Sequence, residues 1–134
     1  MLAKTTYPKD HIDACRARTK VQLSAFAKLR KEAGEAVDPL EPEFFNNLVV
    51  VLDHQFVHRA RGAEGKDGNP INEVRVLSDS LTEHDGVMTA QSSIKLKAEG
   101  SVLGLEPGAQ IRISEDDFRG LADAYYAEIE KRFG

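Results

Sequence analysis

The chain has one cysteine, Cys15, in 134 residues, and that excludes an intramolecular disulfide. It has no apolar run longer than the five residues Leu48 to Leu52, far short of the ~20 that span a membrane. Its first residues, Met1 to Pro8, lack the apolar stretch of a secretory signal. A reducing, cytoplasmic setting without membrane contact is therefore expected. No internal repeat and no low-complexity tract is present. The composition is that of a globular chain: 41% hydrophobic and 30% charged residues, a balance that argues against wholesale disorder. The length fits a single domain, 1–134, able to bury about two thirds of its unfolded surface without a disulfide or metal staple.

The net charge is −4, but it is unevenly spread. Residues 1–31 carry eight lysines and arginines against Asp10 and Asp13, whereas the rest of the chain carries ten against twenty acidic residues. A basic arm of this kind can bind nucleic acid. Here its only aromatics are Tyr7 and Phe26, and the chain as a whole is acidic, which disfavours nucleic acid. The preferred reading is a basic helix lying beside acidic surfaces, in its own chain or in a second copy.

Helical periodicity organises most of the chain. Ile12, Cys15, Thr19, Leu23, Phe26 and Leu29 recur at helical spacing from about Pro8 to Ala33, with Gly34 as the stop. Pro39 and Pro42 break the chain, and Asp38 with Glu41 reads as a cap. A second, strongly apolar helix is predicted from Pro42 to Arg61, built on Phe45, Leu48, Val49, Leu52 and Phe56. The glycines at 62, 65 and 68 make a loop, after which Asn69 caps a third helix that opens on Pro70 and stops near Asp85-Gly86. Ser93 to Lys97 and Gln110 to Ser114 alternate polar and apolar residues, which predicts two short strands paired antiparallel. The last helix opens on a capping box at Ser114 to Asp117 and runs to Phe133, with Tyr125 inward and Tyr126 at the surface or an interface. The expected fold is mainly α (α+β), a four-helix bundle-like core with a small antiparallel β-hairpin between helices 3 and 4.

The predicted second helix also carries the sharpest polar pattern. Asn47, His54, His58 and Arg61 fall on one face of a regular helix, and His54 with His58 has the i, i+4 spacing that lets two imidazoles meet one ion. A catalytic zinc helix needs Glu after the first His; here Gln55 stands there and cannot take a proton. The structural alternative is a polar seam of imidazoles bonded to neighbours. Gly65-Lys66 is not a phosphate loop, because Ala60 and Asp67 occupy the positions that need Gly and Ser or Thr. The loop is nonetheless rich in polar groups, Arg59, Glu64, Lys66, Asn69 and Asn72 among them. Cys15 reads as an inert core thiol.

The strings LDHQFVHRARGAEGKDGNPINEVRVLSDSL, residues 52–81, and SVLGLEPGAQIRISEDDFRGLADAYYAEIEKRF, residues 101–133, resemble small uncharacterised bacterial proteins. That resemblance implies a self-contained bacterial domain and transfers no activity or site. The His pair on a four-helix frame is distantly similar to the DinB-like metal-binding bundles, but the remaining family histidine is not placed by this sequence, so no ligand set is carried over.

Two functions are therefore expected. The first is a non-catalytic binding or assembly module that self-associates, as a homodimer, through complementary charged faces. The second is a small-ligand-binding or metal-dependent enzyme using the His54/His58 helix and the Gly62 to Pro70 loop. Its candidate residues are Asn47, His54, His58, Arg59, Arg61 and Lys66, and its ligand would be small and anionic. No catalytic residue, resident metal or cofactor is assigned.

Overall fold

The computed structural model describes residues 2–134. Five helices account for most of them: α1 (Lys9–Ala33), α2 (Leu40–His54), α3 (Arg61–Glu64), α4 (Pro70–Glu83) and α5 (Glu115–Phe133). α2 packs most extensively on α4, while α5 touches the other four. The reason lies in the stripes. α5 turns Phe118, Leu121, Tyr125, Ile129 and Phe133 inward, and α2 turns Phe45, Leu48, Val49 and Leu52 to meet them. α1 covers one side with Ile12, Cys15, Thr19, Leu23 and Phe26. Its Phe26 stacks on Phe44 at a ring separation of 5.6 Å and meets Phe45 edge-on at 4.7 Å.

Local signals at the helix ends work as the sequence predicts. Asn69 Oδ1 accepts the N–H groups of Ile71 and Asn72, and Pro70 sits in the first turn of α4. Ser114 and Asp117 form a reciprocal capping box on α5. Gly34 ends α1 at φ +58°. The Asp38 cap does not form: α2 starts at Leu40 without a side-chain cap. Arg30 of α1 instead pairs with both Asp38 and Glu41, and Glu41 also accepts the Glu115 N–H at 2.8 Å.

No β-hairpin forms between the third and fourth long helices. Among the described residues the only bridges are isolated ones, Lys4 with Arg59 and Val87 with Gln110. The predicted alternation is correct for burial, since Ile111 and Ile113 are buried while Gln110 and Arg112 are exposed. It misassigns the partner. The amide of Asn46 on α2 takes the place of a neighbouring strand, donating to the Ile111 carbonyl at 3.1 Å and accepting the Ile113 N–H at 3.0 Å. Lys95 N–H goes to the Lys66 carbonyl at 2.9 Å. Gly68 makes that approach possible, because at φ +88° a Cβ would stand 2.3 Å from the Lys95 carbonyl oxygen. Farther on, the Glu73 carboxylate accepts the N–H groups of Val102 at 2.8 Å and Leu103 at 3.0 Å. Helix side chains thus satisfy the backbone groups that a ladder would otherwise have paired.

Tyr126 is also inside rather than at the surface, 1% exposed. Its hydroxyl accepts from Thr19 Oγ1 at 2.8 Å and donates to Gln55 Oε1 at 2.7 Å. That neutral link ties α5 to α1 and to the end of α2, which is why a second tyrosine is accommodated beside the core stripe.

Candidate functional site

The predicted second helix is shorter than its pattern. α2 stops at His54, and Gln55 to His58 form a turn in which His58 takes φ +63°. That left-handed conformation is costly for a non-glycine residue. It reverses the chain, so that the His58 carbonyl receives the Lys4 N–H at 2.6 Å and the Ala60 N–H reaches the Lys4 carbonyl at 2.7 Å. The assumed common face of Asn47, His54, His58 and Arg61 therefore does not exist. Asn47 is exposed on α2, Arg61 opens α3 and points to solvent, and the Lys66 side chain is exposed.

Arg59 closes the end of the shortened helix. Its side chain folds back under α2, where Nη1 donates to the carbonyls of Asp53 and Phe56, each at 2.9 Å. These are acceptors that a helix end leaves open, at the negative end of its dipole. The same guanidinium donates from Nη2 to Asp53 Oδ1 and from Nε to Glu64 Oε1, both at 2.8 Å. Glu64 is completely buried and saturated. It accepts Arg75 Nε at 2.9 Å and Nη2 at 2.7 Å, and Asn72 Nδ2 at 3.1 Å, besides Arg59. Burial alone would push the Glu64 carboxyl up, but the hydrogen bonds and charges of Arg75 and Arg59 outweigh it and hold the carboxyl below the usual range. Burial works to lower the Arg59 pKa, and the negative groups around it overcome that, so the guanidinium stays charged.

Above this buried row lies a shallow cleft of about 270 Å³, walled by Asp53, His54, Phe56, Val57, His58 and Arg59, with Arg75 on the α4 side. His54, His58 and Arg59 are thus brought together, whereas Asn47, Arg61 and Lys66 lie outside the lining. His54 is largely exposed, with Nε2 4.0 Å from Asp53 Oδ2. Arg75 is the member that the His-based pattern missed. Its sequence signal is a charge between two apolar residues: Arg75 stands between Val74 and Val76. A second hollow of about 370 Å³ lies between α4 and the irregular segment 84–114 that joins it to α5, with Val76, Met88, Ile94 and Leu105 among its lining. Its exposed charged residues, Lys97, Glu99 and Glu106, are of mixed sign.

Two further features bound the chemistry. Among the described residues, no three of His, Cys, Asp and Glu come together in a way that could hold a metal ion. Cys15 is fully buried 3.7 Å from His11 Nε2, and burial pushes its thiol up, which leaves it a poor nucleophile. No helix among the described residues is long and apolar enough to cross a membrane. Comparison with known protein families, with curated proteins and with solved structures gives no match.

Proposed function

We propose that this chain is a non-catalytic binding module that self-associates through the outward face of α1, with a second copy as the partner. The supporting observation is Val21, 68% exposed in the middle of that helix. At ~100° per residue it shares the side away from the core with Ala14, Ala17 and Ala25, all exposed. Asp10 and Lys28 lie on the same side, toward opposite ends. Neither has an ion-pair partner among the described residues, although Lys9, Arg16 and Arg30 do. Those charges suit the dipole of α1 itself, but they also match an antiparallel second copy. A two-fold axis near Thr19 sets Asp10 opposite the partner's Lys28 and Ala17 opposite the partner's Val21. The alanines allow the two helices to approach closely, so the contact is isologous and closes at two copies.

Light scattering over a range of protein concentration tests this reading. A dimer is expected as protein concentration rises. Val21→Glu shifts the protein to monomer. Asp10→Lys does the same, and adding Lys28→Asp to that variant restores the dimer. A monomer at every salt and concentration defeats the reading, as does a dimer indifferent to Val21→Glu.

A further inference from the structure

The cleft at the end of α2 is built on a row of alternating charges. His54 stands beside Asp53, Asp53 binds Arg59, Arg59 binds Glu64, and Glu64 binds Arg75. With His54 neutral, the row reads minus, plus, minus, plus and carries no net charge. Both ends open on the same cleft, which His58 also lines. At the α4 end, Arg75 commits Nε and Nη2 to Glu64, and among the described residues its Nη1 has no protein acceptor. At the α2 end stands the exposed imidazole of His54.

We propose that this cleft binds a small oxyanion, a phosphate or carboxylate group, held between Arg75 Nη1 and the imidazoles of His54 and His58. The site is independent of self-association through α1. The ring N–H groups of His54 and His58 can donate to such an anion. The other charged groups facing those rings are Asp53 on the same helix, Arg59 from the turn and Arg75 from α4. Phe56 and Val57 supply an apolar wall that strengthens charge-assisted hydrogen bonds. Arg75 is held in place by a fully buried carboxylate, so little ordering is left for the ligand to impose. A metal cation fits worse. Two guanidiniums line the cleft, and Asp53, its carboxylate, is already bound to Arg59.

Calorimetric titration at constant ionic strength, with inorganic phosphate in one arm and acetate in the other, tests the site. The tighter of the two anions identifies the group the site prefers. His54→Gln and His58→Asn should each weaken binding about ten-fold, the loss of one charge-assisted bond. Asn tolerates the left-handed backbone at 58, so that variant keeps the turn. Arg61→Ala and Lys66→Ala remove exposed cations outside the lining and should leave the affinity unchanged. Failure of both anions to bind overturns the proposal. So does binding that survives both histidine variants, or that falls equally with Arg61→Ala and Lys66→Ala.

Discussion

Two glutamates are almost wholly removed from water in this protein, and they are kept there by opposite means. Glu64, 0% exposed, is surrounded by side chains: two guanidiniums and an amide supply all its donors. Glu73, 2% exposed, accepts from the backbone N–H groups of Val102 and Leu103. Among the described residues it has no cationic partner. The first corner is a neutral cluster of charges that joins α3, α4 and the turn after α2. The second uses a bare charge to anchor the segment between α4 and α5, whose regular structure is a single 3-10 turn at Ala98–Gly100. A carboxylate facing cations is costly to neutralise, because the cations remain buried. A carboxylate facing amides loses only the strength of two hydrogen bonds.

The largest effect should therefore fall on Glu64. Glu64→Gln leaves Arg59 and Arg75 without their shared counter-charge and should cost about 3–5 kcal/mol, the penalty for breaking one side of a buried pair. Urea unfolding at neutral pH would show it as a lower midpoint with an unchanged slope. The same site sets an acid limit. The folded-state pKa of Glu64 lies below its ordinary 4.5, so protonation favours the unfolded chain. Its contribution is complete above 4.5 and is lost as pH falls through the lower folded value. Glu64→Gln should remove that part of the acid destabilisation, and parallel pH profiles for the two proteins would contradict it.

Glu73→Gln should cost less. The amide keeps one acceptor oxygen for Val102 or Leu103 but places an NH2 group against the other donor, a loss of about 1–3 kcal/mol. Its signature is local. Hydrogen exchange should rise at the amides of Val102 and Leu103, while α2 and α5 keep their protection. Protection lost evenly through the molecule would mean that the irregular segment is not a separately anchored unit.

The same comparison explains what could be read in the sequence. α1, α4 and α5 were legible with their caps, because each signal acts within a few residues: Asn69 on Ile71 and Asn72, Ser114 on Asp117. The inward set Ile111 and Ile113 was legible from alternation alone. The hairpin was not, because alternation reports which side is buried and says nothing of what pairs with the backbone. Asn46 and Glu73 supply that pairing from helices far away in sequence. The site was half legible. His54, His58 and Arg59 do line one cleft, but the helix drawn through them ignored that an arginine just past a helix end can fold back onto its open carbonyls. Once Arg59 does so, Arg61 and Lys66 leave the site, and Arg75 enters from α4.

The smallest effect sharpens the contrast from the opposite direction. His58 holds φ +63° in the turn that aims Arg59 inward, so its backbone opposes the network that its neighbour completes. Glycine removes that conflict, and His58→Gly should raise stability by about 0.4–1 kcal/mol, offset in part by the greater freedom of the unfolded chain. The gain would appear as a small rise in the urea midpoint, additive with the Glu73→Gln loss because the two sites share no partner. A fall instead would show that the imidazole, exposed as it is, contributes more to the turn than its backbone costs. A gain in stability accompanied by loss of phosphate or acetate binding would separate the two roles of this residue: the strained turn is tolerated for the ring it presents to the cleft, while Arg59 with Asp53 and Glu64 holds the fold beneath it.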